Sequence, residues 1–157
     1  MKVIVPGSYD PVTLGHLDII RRAAEENEQV YAVIFVNPEK KYTFSLDDRV
    51  RMLILATDEY DNVLVSYSNG MVVDYMRDHG IEKIVKGYRN DIDYAYEMKQ
   101  AEYNKNYGGY ETELKKCAPE LSEVSSTLAR EKIEKGESVE GILPSSVSEY
   151  IAYITRA

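Results

Sequence analysis

Three short stretches of this 157-residue sequence carry side chains suited to handling phosphate. The first is Pro6-Gly7-Ser8-Tyr9-Asp10-Pro11 followed by Thr13-Leu14-Gly15-His16, the second is Lys86-Gly87-Tyr88-Arg89, and the third is Ser125-Ser126-Thr127. Imidazole, ammonium and guanidinium groups donate hydrogen bonds to charged oxygens, and glycine lets an anion approach the backbone closely. The first N–H groups of a helix lack intrahelical acceptors and sit at the positive end of its dipole, so a strand–loop–helix junction holds an anion by backbone alone. The first stretch is not a dinucleotide fingerprint, because only Gly7 and Gly15 are present and they stand eight apart. Nor is it a P-loop, since no Gly-Lys-Ser/Thr follows. Taken singly, His16 reads as well as a cap, Gly15 as a packing glycine and the serine triplet as a helix start. The whole string carries the signal. Asp10 and Asp93 could bind Mg²⁺, but they form no pair at metal-ligand spacing, and Mg²⁺ commonly rides on substrate phosphates.

These stretches need elements to place them. Lys2-Val3-Ile4-Val5 is an apolar run of strand length, and Leu17, Ile20, Ala23 and Ala24 recur at helical spacing over residues 13–26. Residues 29–36 are nearly all apolar and β-rich, as in a strand covered on both faces. Ser45 followed by Asp47 and Asp48 starts a second helix running to residue 57. Residues 63–65 make a third strand, residues 71–78 a helix stopped by Gly80, and residues 83–86 a fourth strand ending at the second glycine stretch. A helix follows over residues 93–105. Residues 112–117 complete the alternation as an edge strand, although Glu113, Lys115 and Lys116 make it a polar one. A helix begins at Ser125-Ser126-Thr127 and is closed by Gly136, and Ser146-x-x-Glu149 reads as the capping box of a final helix through Tyr153. Strand and helix alternate throughout, which predicts one α/β domain over residues 1–157: a Rossmann-like, doubly wound fold on a five-stranded parallel sheet. His79, at a helix end, reads as structural.

Composition narrows the function. A net charge of −8 argues against nucleic-acid binding, which needs a basic footprint. Lys40, Lys41, Lys86 and Arg89 nonetheless fall just after predicted strands, where open α/β sheets bind ligands; without the motifs they read first as solvated surface charges, and with them as the rim of a site for a small anionic ligand. A single cysteine, Cys117, excludes an internal disulfide and a cysteine-based zinc site. With the first strand beginning at Lys2 and no long apolar run, a cytoplasmic protein without membrane partners is expected.

The Thr13-x-Gly15-His16 string and the loop before it resemble the Thr/His-x-Gly-His signature of the nucleotidyltransferase superfamily. Further stretches are similar to the phosphopantetheine adenylyltransferase family: Pro38-Glu39-Lys40-Lys41 with the helix after it, Lys86-Gly87-Tyr88-Arg89 with Asp93-Tyr94-x-Tyr96-Glu97-Met98 and Asn104, and Val124-Ser125-Ser126-Thr127. The resemblance implies transfer of the adenylyl group of ATP to 4′-phosphopantetheine, giving dephospho-coenzyme A and pyrophosphate, in a Mg²⁺-dependent homohexamer. It implies His16, Lys40 and Arg89 as catalytic residues. It assigns Ser8, Tyr9, His16, Gly87, Tyr88, Arg89, Glu97, Leu121, Ser122, Glu123, Val124, Ser125, Ser126 and Thr127 to ATP. Ser8, Lys40, Val72 and Lys86 fall to 4′-phosphopantetheine, with the metal carried mainly by the ATP phosphates.

Some positions depart from that pattern. Lys86 stands where arginine is usual, keeping the charge but not the planar fork. Val5 replaces an aromatic residue, Ser8 a threonine, and the strand over residues 112–117 is unusually polar. Two alternatives remain open at this level: another superfamily member, such as one acting on nicotinamide mononucleotide or glycerol 3-phosphate, and a non-catalytic nucleotide-binding module.

Overall fold

The computed structural model describes residues 1–156. Strands and α-helices alternate from β1 through β5 and two further helices follow, with β1 at Lys2–Gly7, α1 at Leu14–Glu26, β2 at Gln29–Phe35, α2 at Leu46–Thr57, β3 at Val63–Ser68 and α3 at Val72–His79. They continue with β4 at Lys83–Tyr88, α4 at Asp91–Gly108, β5 at Thr112–Lys116, α5 at Ser126–Glu134 and α6 at Ser145–Thr155. The sheet is wholly parallel, in the order β3-β2-β1-β4-β5. This is the Rossmann-like, doubly wound arrangement expected from the alternation.

Alternate residues of β1 point to opposite faces, and both faces are covered. Val3 and Val5 join a core with Ile19, Ile20 and Ala23 of α1, Met52 and Leu53 of α2, and Val147 and Ile151 of α6. Ile4 joins a second core with Tyr75 and Met76 of α3 and with Ile84. A central strand buried on both faces explains the unbroken apolar run that begins the sequence.

The strand order reverses direction between β1 and β4, and there the pairing is short. β1 pairs with β2 from Lys2 through Gly7, but it meets β4 only at Val3–Lys83 and Ile4–Ile84. Beyond that point β4 pairs with β5 alone, through Tyr88. A crevice therefore opens at the carboxyl ends of β1 and β4, the place where such sheets bind ligands.

The polar strand β5 lies at the sheet edge, as its composition predicted. Glu113 is bracketed by Lys83 at 2.7 Å and Lys115 at 2.9 Å, and Lys115 also reaches Glu26 of α1 at 2.5 Å. The lysines hold the Glu113 carboxyl below its usual range through their hydrogen bonds. Charges laced along an edge satisfy one another and discourage pairing with another chain.

The final helix corrects one expectation. Helix α6 starts at Ser145 behind Pro144, with no side-chain cap, so Ser146 and Glu149 lie inside it and form no capping box. Proline fixes φ near the helical value and begins the helix without a cap. The capping box of the chain is in α1, where Thr13 and His16 bond reciprocally.

Candidate active site

Two cavities adjoin at the crevice. The first, about 270 Å³, is lined by Tyr9, Thr13, Gly15 and His16 from the β1–α1 junction, by Lys86 to Arg89 with Asp93, Tyr96 and Glu97, and by Cys117, Leu121, Val124, Ser125 and Ser126. The second, about 240 Å³, is lined by Pro6, Gly7 and Ser8, by Phe35, Val72 and Ile84, and by Tyr96, Gln100, Ala101, Asn104 and Thr112. Pro6, Lys86, Tyr96 and Glu97 line both. The three sequence-separated stretches therefore meet in one place.

His16 is the third residue of α1. Its Nδ1 accepts from the backbone N–H of Thr13 at 3.0 Å, while its own N–H donates to Thr13 Oγ1 at 3.3 Å. An imidazole whose Nδ1 accepts carries its proton on Nε2, leaving that N–H as a donor. Burial, together with the positive charges of Lys86 and Arg89, pushes its pKa down to about 4. The ring is thus a neutral donor at neutral pH, fixed in tautomer by Thr13. Tyr9 packs against it with ring centroids 4.9 Å apart. The Tyr9 hydroxyl donates to the Val5 carbonyl at 2.7 Å and burial raises its pKa, so it takes the structural part of the pair.

A titration prediction follows from this environment. In the free protein the ring protons of His16 should titrate with a midpoint of about 4 by NMR, and bound polyphosphate should raise it by supplying negative charge. Between the ordinary histidine value of 6.5 and about 4, the unfolded chain binds a proton that the folded chain refuses. Stability therefore falls as pH drops through that window. A midpoint near 6.5 in the free protein would contradict the buried, neutral assignment.

The first turn of α1 offers less backbone than the sequence suggested. Leu14 N–H donates to the Ile142 carbonyl at 2.9 Å and His16 N–H is capped, so among the described residues the N–H of Gly15 is the one left. A Cβ on Gly15 would meet only ordinary contacts, Thr13 Oγ1 at 3.4 Å and Val124 at 3.8 Å, so packing against a strand is not what this glycine serves. Its open side faces the cavity. Gly87 is different: a Cβ there would lie 2.6 Å from Ile19 Cγ1, so its bareness lets α1 pack on β4.

Arg89 is held as a fork. Its Nε and Nη2 donate to Asp93 at 2.8 and 3.3 Å, and its backbone N–H donates to the same carboxylate at 3.1 Å. Burial pushes the Asp93 carboxyl up, but the Arg89 hydrogen bonds outweigh it and hold it below its usual range. Lys86 Nζ lies 3.3 Å from Oε2 of the buried Glu97 and 3.4 Å from the Pro6 carbonyl. That Glu97 oxygen is buried and makes no hydrogen bond besides this ion pair.

The serine triplet also changes its meaning. Ser125 caps α5 by accepting from Leu128 N–H at 3.0 Å, and Ser126 donates its hydroxyl to the Pro11 carbonyl at 2.8 Å. The Ser126 proton is thus spent on Pro11, whereas Ser125, which only accepts, keeps its O–H as a donor beside the first-turn N–H groups of α5. Ser122, Glu123 and Thr127 are exposed and line neither cavity, and nor does Lys40, in the exposed loop between β2 and α2. Ser8 and Val72, which the resemblance assigns to the acceptor, line the second cavity and not the first. Asp10 is no free metal ligand, because its two carboxylate oxygens accept the N–H groups of Thr43 and Phe44 at 2.8 and 2.9 Å. Among the described residues no cluster of three metal-ligating side chains occurs.

Ile19, Cys117, Gln100 and Thr112 line the cavities without having stood out in the sequence. Ile19 follows His16 by one helical turn and Cys117 directly follows a strand, so spacing and the strand-end rule were the available signals. The other two sit among polar surface residues of α4 and β5 and carried none.

Comparison with known proteins agrees with this geometry. Residues 4–132 match the family described as cytidylyltransferase-like. The chain is also 40% identical over 148 residues to the phosphopantetheine adenylyltransferase of Thermobifida fusca (strain YX), which covers 94% of this chain and 90% of that one. The chain belongs to the phosphopantetheine adenylyltransferase family. Lys86 stands at the boundary of the two adjoining cavities. The departure at Lys86 keeps a cation at that boundary, and its pairing with Glu97 is one an ammonium makes without a fork.

Proposed function

We propose that this chain transfers the adenylyl group of ATP to 4′-phosphopantetheine, with ATP in the cavity of His16 and Arg89 and the acceptor in the cavity of Ser8 and Val72. The observation that carries the reading is the shared rim: Lys86 lines both cavities, so two phosphates, one from each side, converge on one cation.

The acceptor phosphate is already ionised at neutral pH, so no general base is needed. One of its oxygens forms a bond to the α-phosphorus of ATP as the bond from that phosphorus to the bridging oxygen breaks, and pyrophosphate leaves with the electron pair. The protein aligns the groups and places donors where charge develops. His16 Nε2–H, Lys86 and Arg89 are those donors, and the N–H groups of Gly15 and of the first turn of α5 serve the outer phosphates. The substrate is MgATP. Asp93 and Glu97 are each paired with a cation, so a Mg²⁺ ion would ride on the ATP phosphates and would supply charge neutralisation there. With ATP labelled at the α-phosphate, label should appear only in the nucleotide product and never in pyrophosphate; label in pyrophosphate would overturn the site of attack.

On the same reading the enzyme is a cytoplasmic homo-oligomer, a hexamer by family. Helix α4 supports this: only Glu97 along it is buried, while Ile92 is 82% exposed and Tyr96, Tyr103 and Tyr107 are each more than half exposed. Such a run of apolar surface is covered by a partner more often than by water. Light scattering should give six chains, and a monomer at micromolar concentration would contradict it. Among the described residues no helix is long and apolar enough to cross a membrane. Activity retained in a membrane pellet would contradict a cytoplasmic enzyme.

A further inference from the structure

Arg49, in the first turn of α2, is 2% exposed, and no carboxylate lies within ion-pair distance of it among the described residues. A buried guanidinium without an acid is costly, and fixed dipoles must hold it. Here they come from two separate loops. Nε donates to the Phe44 carbonyl at 3.1 Å, at the end of the β2–α2 loop, and Nη1 donates to the Ser8 carbonyl at 3.1 Å, in the β1–α1 loop. Its face stacks on the Tyr42 ring, 3.9 Å from the centroid. Tyr42 in turn accepts the Asn37 N–H at 2.9 Å, and Lys40 Nζ lies 5.5 Å over the same ring. Asp10 fastens the two loops once more, through Thr43 and Phe44.

We propose that Arg49 is a positioning residue for the acceptor: it clamps the loop that presents Ser8 against the loop that carries Lys40, so that both address one acceptor phosphate. Nothing in the guanidinium touches substrate. Its fork takes the Ser8 carbonyl, and Ser8 lines the second cavity. Through Tyr42 it fixes the root of the loop on whose exposed tip Lys40 sits. The shape of the group matters more than its charge, since a lysine ammonium has neither a planar fork nor a face for the ring. The proposal rests on the acceptor reading for Ser8 above and on the role that the family resemblance implies for Lys40, whose exposed loop lies outside both cavities.

The test is calorimetric binding of 4′-phosphopantetheine and, separately, of ATP to the full-length protein, in wild type, Arg49→Lys, Lys40→Ala and the double variant. Arg49→Lys is expected to weaken the acceptor at least about tenfold, the scale of a small misplacement of binding groups. ATP should move by less than about twofold, because the first cavity contains neither loop's contact residue. Lys40→Ala should also weaken the acceptor, and the double variant should be little worse than the poorer single one, as for residues acting through one another. Unchanged acceptor affinity in Arg49→Lys, equal losses for both ligands, or multiplicative losses in the double variant would each overturn the clamp. If Lys40→Ala leaves the acceptor unaffected, the assignment of Lys40 falls and the clamp falls with it. Where Arg49→Lys does not fold, Tyr42→Leu removes the stacked face from a partly buried site. A loss confined to the acceptor then supports the proposal, and no loss or an equal one overturns it.

Discussion

Replacing His16 by alanine is expected to lower kcat at least ~10²-fold, the scale for removing one preorganised donor from a site of developing charge. ATP affinity should fall far less, because the Gly15 N–H, Arg89 and the first turn of α5 still hold the nucleotide. The reason lies in how the ring is kept. Thr13 fixes the tautomer, Tyr9 packs against the ring, and burial with two neighbouring cations keeps it neutral, so Nε2–H is a donor over the whole neutral range. Such a group stabilises the transition state without exchanging a proton, and kcat/KM, which reports the free enzyme, should show no loss attributable to His16 between pH 8 and pH 5. Steady-state rates at saturating and at low substrate check the two points in turn. A loss below tenfold in folded His16→Ala would remove the ring from the transition state.

Arg89→Ala is expected to lower kcat/KM for ATP about 10²- to 10³-fold, again on the scale of a lost donor at phosphorus. Stability should change little. The Arg89–Asp93 pair is roughly a quarter to a third exposed, and solvent screens such a pair, so its loss costs at most about 1 kcal/mol. The effect is therefore readable as chemistry and not as unfolding. Arg89→Lys should recover only a small part, since an ammonium cannot hold Asp93 at two points and still present a directed N–H to phosphate. Rates near wild type in Arg89→Lys would show that charge alone suffices there.

Much of this was legible in the sequence because the fold writes itself in hydrophobic period. The run Lys2 to Val5, the β-rich residues 29–36 and the glycine breaks after two strands fix a parallel sheet, and the strand-end rule then brings the three phosphate-suited stretches together. What the sequence hid depends on tertiary partners. Ser126 looked like a phosphate hydroxyl and is spent on the Pro11 carbonyl, 115 residues away in sequence. Asp10, which had no partner at metal-ligand spacing in the sequence, is spent on the backbone of Thr43 and Phe44. Ser146 and Glu149 had the spacing of a capping box but fell inside a helix that Pro144 starts. The polarity of residues 112–117 counted against a strand until Lys83 and Glu26 supplied partners from other elements. Arg49 gave no sign of its own, since an arginine in a charged helix turn reads as surface until two loops close over it.

The acceptor is the central claim, and a side-by-side assay tests it most directly. Pyrophosphate release from MgATP would be measured with 4′-phosphopantetheine, with nicotinamide mononucleotide and with no acceptor. Turnover with 4′-phosphopantetheine alone, with dephospho-coenzyme A as the accompanying product, is the predicted result. Turnover with the mononucleotide alone would keep the site and mechanism and contradict the acceptor. Silence with both, in protein that still binds ATP, would contradict catalysis itself.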